Sequence, residues 1–122
     1  MSAITTHVLD TALGRPAAGV RVRLERLAGP TSQTDPETTG HPTQVLAEST
    51  TDADGRVREL GPDRAEPGTY RLVFDVAAYA AATGQACFFP EVSLTFALTD
   101  PSTHHHVPLL LSPFAYSTYR GS

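Results

Sequence analysis

Period-two alternation constrains this chain more than any other feature. In Val20–Glu25 the apolar Val20, Val22 and Leu24 alternate with Arg21, Arg23 and Glu25. In Tyr70–Val76, Tyr70, Leu72, Phe74 and Val76 share one face; in Val92–Thr99, Val92, Leu94, Phe96 and Leu98 alternate with Ser93, Thr95, Ala97 and Thr99. Successive side chains of a strand point to opposite faces, so such runs read as strands with one face on a core. The pattern predicts further strands at Ile4–Asp10, Val45–Thr50, Arg56–Leu60, His104–Leu111 and around Ala115–Tyr119. About eight short strands divided by Pro, Gly and Asp turns predict an all-β sandwich. Ten prolines and nine glycines punctuate the chain and weigh against a helical bundle.

One segment breaks the alternation. Asp75 through Gly84 reads as a short helix, with Asp75 as its N-cap, an alanine-rich body and Gly84 as its stop. The stretch 29–44, GPTSQTDPETTGHPTQ, has no apolar period and is expected to be an exposed loop between two strands. There is no internal repeat, and 122 residues are expected to form a single domain over 1–122.

Charge and cysteine content narrow the function. Nine basic against thirteen acidic side chains give a net charge of −4, which argues against nucleic acid or an anionic membrane as partner. The single cysteine, Cys87, excludes an intramolecular disulfide and any multi-thiolate zinc site. Beside Phe88 and Phe89 it is expected to fill apolar space rather than act as a nucleophile. No apolar run reaches the ~18 residues a membrane helix needs. The N-terminal residues lack the basic and apolar regions of a signal peptide, and Arg-Gly-Ser is not a peroxisomal tripeptide. The expected location is therefore the cytoplasm.

Four features could carry chemistry. On a strand, His104 and His106 point one way while His105 joins Val107, Leu109 and Leu111 on the other face. Two imidazoles on a non-core face can bind a metal, act as acid and base, or simply be solvated; a metal would need a third protein ligand, from Cys87 or a carboxylate. Asp54-Gly55 is a turn signal that makes Arg56 the first residue of a returning strand. Arg56 there is an ordinary surface arginine or a fixed charged fork for an anionic or carbonyl-rich ligand. His7 sits beside Val8-Leu9, and Tyr119-Arg-Gly-Ser122 ends the chain.

Together these residues resemble the 5-hydroxyisourate hydrolase family, the enzymes related to transthyretin. The resemblance runs from Thr6-His-Val-Leu-Asp10 to Tyr119-Arg-Gly-Ser122. It includes Asp54-Gly-Arg56, Gly68-Thr-Tyr-Arg-Leu72, and His104-x-His106 followed by Val-Pro-Leu-Leu-Leu-Ser-Pro. The terminal Tyr-Arg-Gly-Ser is the element that separates the hydrolases from the transthyretin carriers. Two departures are the long 29–44 stretch and His105, which stands where an aromatic residue is often found.

The resemblance implies a transthyretin-like sandwich of two four-stranded antiparallel sheets with one short helix. It implies a homotetramer, a dimer of dimers with active sites where the dimers face each other. His7, Arg56, His106 and Ser122 match the family's catalytic residues. Tyr119 and Arg120 join them as substrate-binding candidates, and His104 stands behind His106 in support. The reaction implied is hydrolysis of 5-hydroxyisourate to 2-oxo-4-hydroxy-4-carboxy-5-ureidoimidazoline in urate breakdown. It runs by histidine-assisted attack of water on the ring amide with arginine stabilisation, and needs no metal or other cofactor. Which of His7 and His106 deprotonates the water stays open. The rival reading is a transthyretin-like module that binds a small ligand without turning it over; it has no chemical need for His7, Arg56 and His106.

Overall fold

The computed structural model describes residues 2–27 and 43–121. In chain order its elements are β1 Ile4–Asp10, β2 Arg15–Pro16, β3 Arg21–Arg26, β4 Gln44–Thr50, β5 Arg56–Val57 and β6 Gly68–Asp75. These are followed by α1 Val76–Thr83, β7 Glu91–Leu98, β8 His105–Leu111 and β9 Tyr116–Thr118. One sheet runs β2-β1-β8-β9 with β5 also on β1; the other runs β4-β3-β6-β7. The alternation read from the sequence explains the layering. Val22 and Leu24 of β3, Leu72 and Phe74 of β6 and Val92 and Leu94 of β7 pack against Ile4 and Val8 of β1 and Val107 and Leu109 of β8. Each such side chain contributes roughly 1.5–3 kcal/mol by leaving water.

Among the described residues the sandwich and its single helix are as expected, and two details of the first sheet differ. It has five strands rather than four, because two-residue strands β2 and β5 both lie along β1. It also contains one parallel pair, β1 with β8, in register from Ile4↔His105 to Asp10↔Leu111. The strand expected over Arg56–Leu60 ends at Val57. Past that point the Ser2 hydroxyl accepts the Leu60 N–H at 2.8 Å and the Ser2 N–H donates to the Arg58 carbonyl at 3.3 Å, so the chain leaves the ladder. The expected 29–44 loop lies outside the described residues up to position 42, and Gln44 already belongs to β4.

The helix forms where its caps predict. Asp75 Oδ1 accepts the Ala78 N–H at 3.2 Å, and Gly84 closes the last turn at φ 68°, which a residue with a Cβ adopts poorly. Its Tyr79 is pinned to the end of β1: the phenol donates to Asp10 Oδ2 at 2.6 Å. Burial alone would raise the Asp10 carboxyl, but donors from Tyr79, Leu13 and Gln85 outweigh it and hold the group below the usual range. The same burial and the facing carboxylate push Tyr79 up to about 12. Cys87 is exposed rather than packed, a correction to the expectation above. Phe89 takes the place against the core, leaving the thiol to face its carbonyl at 3.5 Å. Among the described residues no helix is long and apolar enough to cross a membrane.

Candidate active site

Register decides which side chains meet. The parallel β1–β8 ladder sets Thr5 beside His106, and the antiparallel β1–β5 pair sets His7 opposite Arg56. Because strand side chains alternate, Thr5, His7 and Leu9 turn outward with His106 and Leu110, while buried His105, Val107 and Leu109 turn inward. The ring centroids of His7 and His106 lie 6.4 Å apart, as do those of His104 and His106. An open cleft of about 150 Å³ is lined by Thr5, Arg56, Arg58, His104 and His106. Residues distant in sequence thus gather on one outer face.

The Asp52–Arg56 turn positions two of them. Gly55 sits at φ 76°, and an added Cβ there would run into the Val8 carbonyl oxygen, so glycine is required for both conformation and space. Asp52 Oδ1 accepts the N–H groups of Asp54 at 2.8 Å and Arg56 at 3.0 Å. Those backbone donors, led by Arg56 N–H and joined by the Arg58 charge, hold the Asp52 carboxyl below its usual range. The turn is tied to β1 by Val8 N–H donating to the Gly55 carbonyl at 2.7 Å. On the same turn the Asp54 carbonyl lies 2.9 Å from His7 Nε2. A carbonyl only accepts, so the proton of neutral His7 sits on Nε2 and its Nδ1 is bare.

His106 is the ring with the shifted titration. Half-buried, it is held below the ordinary histidine range first by burial and then by Arg56, His104 and His7. It is therefore largely uncharged at pH 7 and able to take a proton. Its Nδ1 lies 2.8 Å from Thr5 Oγ1, and His104 Nε2 lies 2.8 Å from the same oxygen. The chain end passes close by, with Gly121 N–H donating to the His106 carbonyl at 2.7 Å.

The sequence-predicted residues divide. The structure brings together His7, Arg56, His104 and His106. Tyr119 and Arg120 line a different cleft, with Leu94 and Phe96 of β7 and with His105 and Val107 on the inward face of β8, and do not border the histidine cleft within one chain. Ser122 lies outside the described residues. Among the described residues no group of three or more His, Cys, Asp or Glu side chains could hold a metal ion. His104 Nε2 and His106 Nδ1 instead turn to one hydroxyl. Sequence reasoning missed Thr5, although counting by twos along β1 places it on the face of His7. It also missed the Asp54 carbonyl, a backbone atom with no side-chain signature.

Two histidines and an arginine thus gather on the outer face of a two-sheet β-sandwich. Residues 4–121 match the sequence profile of the HIUase/Transthyretin family, and the chain belongs to that family. It is 46% identical over 122 residues to the 5-hydroxyisourate hydrolase of Mus musculus, covering 99% of this chain and 96% of the relative. The structure of Klebsiella pneumoniae 5-hydroxyisourate hydrolase matches with a TM-score of 0.78 and 32% identity over 98% of both chains. Sea bream transthyretin, solved in complex with thyroxine, matches with a TM-score of 0.81 and 27% identity over 98% of this chain and 94% of that one.

Proposed function

We propose that this chain is a cyclic amide hydrolase of urate breakdown. It opens the six-membered ring of 5-hydroxyisourate to give 2-oxo-4-hydroxy-4-carboxy-5-ureidoimidazoline. The observation that carries the reading is the gathering of His7, Arg56 and His106 on one outer face, together with 5-hydroxyisourate hydrolases that match over nearly their full length. Amide hydrolysis needs an activated water, a stabiliser for the developing oxyanion and a proton for the departing nitrogen. His106, uncharged at neutral pH, takes the proton from water; a placed general base is worth roughly 10²–10⁴-fold. The water oxygen bonds to the ring carbonyl carbon, the C–N bond breaks, and the nitrogen is protonated from the histidine pair. Arg56 offers a planar pair of N–H donors to the carbonyl oxygen as its charge grows. Ser122, one peptide bond beyond Gly121, completes the proposed catalytic set, and Tyr119 and Arg120 contact substrate or fix the chain end.

The same reading includes assembly as a dimer of dimers. Two observations support it. β7 and β9 are edge strands with exposed Phe88, Phe114 and Tyr116 beside them, suited to pairing with a second copy. Half-buried Leu9 and Leu110 flank His7 and His106 on an outer face that a facing dimer would cover. Light scattering that returned a fully active monomer would overturn this part. Cytoplasmic placement is supported by the exposed lone thiol of Cys87, which suits a reducing compartment.

Likeness to a thyroxine-bound transthyretin favours one other reading, a small-ligand carrier using the same sandwich. Fresh 5-hydroxyisourate, made from urate by urate oxidase, separates the two by ultraviolet absorbance. Catalytic amounts of protein are expected to speed its decay well beyond the spontaneous rate. Stoichiometric binding without acceleration would move the assignment to the carrier.

A further inference from the structure

Thr5 links His106 of β8 to His104, which lies just before that strand. It stands on β1 beside His106, is only 4% exposed, and places Oγ1 2.8 Å from both His104 Nε2 and His106 Nδ1. A hydroxyl donates one hydrogen bond and accepts others. A hydroxyl bridging two imidazoles is therefore directional: one ring donates N–H to Oγ1, and Oγ1–H donates to the bare nitrogen of the other. In one sense His106 Nδ1–H donates to Thr5 and Thr5 donates to His104 Nε2, which leaves His106 Nε2 bare. In the opposite sense His106 Nε2 carries the proton and cannot act as a base.

The surroundings select the first sense. The described groups facing His106 are Arg56 and Arg58 from β5 and the residue after it, His7 from β1 and His104 from just before β8, all of them basic. The bare nitrogen is the negative end of an imidazole dipole, and it is favoured toward the guanidinium side; an N–H aimed there is not. His104 is exposed, so its Nδ1–H is satisfied by water.

We propose that Thr5 is a positioning residue that holds His106 in the Nδ1–H form and joins it to His104 as a two-way proton relay. The step rests on the hydrolase reading. When His106 Nε2 takes a proton from water, Nδ1–H passes its proton to Oγ1 and Oγ1–H passes its own to His104 Nε2. His104 is then the imidazolium, next to solvent, and His106 is neutral with its proton on Nε2. When Nε2–H is given to the departing nitrogen, the proton on His104 returns through Oγ1 to His106 Nδ1. The first sense is restored, and no proton is gained or lost over the cycle.

The test is the tautomer itself, read by long-range ¹H–¹⁵N spectra of the labelled protein. Wild type is expected to show His106 with Nδ1–H and a bare Nε2 above its titration; Nε2–H in wild type would overturn the proposal whatever the variants do. Thr5→Val is expected to flip His106 to Nε2–H. It should lower kcat about 10- to 100-fold with KM little changed, as a misoriented base does. It should also move the acidic limb of the pH profile to lower pH, because the imidazolium loses the acceptor of its Nδ1–H. Thr5→Ser keeps the hydroxyl and is expected to recover the tautomer, the rate and the limb. Thr5→Val with the wild-type tautomer, kcat and limb would refute the relay. The spectra need no substrate, so a wild type inert toward 5-hydroxyisourate would sink the hydrolase reading and still leave the tautomer to decide the role of Thr5.

Discussion

Adding one methyl group at Gly121 is expected to disable the site without unfolding the protein. A Cβ there would stand 2.6 Å from His106 Cδ2 and 3.3 Å from Cγ. Carbon atoms pack comfortably at about 3.5–4.0 Å, so the ring or the chain end must give by about 1 Å. Neither is free: Gly121 N–H is bonded to the His106 carbonyl at 2.7 Å, and the ring is bonded to Thr5 at 2.8 Å. Gly121 is absent from the positive-φ glycines, so the effect is one of space and not of backbone strain. Misplacing a reacting group by about 1 Å costs on the order of 10²-fold. Gly121→Ala is therefore expected to lose about 100-fold in kcat/KM, about 2.7 kcal/mol of transition-state stabilisation at 1.36 kcal/mol per tenfold. The clash lies beyond the last strand, so the melting temperature should barely move. Initial rates of 5-hydroxyisourate decay beside a thermal melt measure both. A folded Gly121→Ala protein with the wild-type rate would refute the reasoning that packs Gly121 against the proposed base, His106.

Other perturbations separate site from scaffold. Arg56→Lys keeps the charge and loses the planar pair of donors, so initial rates should fall roughly 10²–10³-fold with the far-ultraviolet spectrum unchanged. His106 is held below the ordinary histidine range, so kcat/KM is expected to stay flat near pH 7 and to fall only below about pH 6.5. By linkage the unfolded chain then binds that proton more readily than the native one; the stability contribution is present above about pH 6.5 and lost as pH drops through the lowered native value. Rate profiles and urea melts across pH 5 to 8 read both effects. Tyr79→Phe removes the donor at 2.6 Å from buried Asp10. About 2 kcal/mol of stability should go with it, seen as a melting temperature lower by roughly 6–10 °C, with kcat untouched because the pair lies away from the cleft.

Local pattern carried much of the fold, and long-range pairing carried the rest. Alternation in Val92–Thr99 and Tyr70–Val76 marks strands because the side-chain period of a strand is two whatever it pairs with. Asp75 and Gly84 bound the helix through caps that act over a few residues. The facing of His104 and His106 follows from the same counting. The parallel pairing of β1 with β8 has no local signal: it joins Thr5 to His106 across a hundred positions, and only that register lets the two residues share a hydrogen bond. The end of β5 at Val57 depends on the Ser2 hydroxyl, equally remote in sequence. Cys87 reads as packed beside two phenylalanines, yet one ring filled the space and left the thiol outside. His7, Arg56 and His106 were singled out through motifs spread along the whole chain. Their geometry was legible only once the strands were in register.

The most direct test of the account is the decay of freshly generated 5-hydroxyisourate, followed by ultraviolet absorbance with wild type and His106→Ala side by side against the spontaneous rate. The account predicts acceleration by catalytic amounts of wild type and a rate close to the background with His106→Ala, both proteins being folded and of the same assembly state. Equal acceleration by the two would contradict the placement of the chemistry on the β8 histidine face.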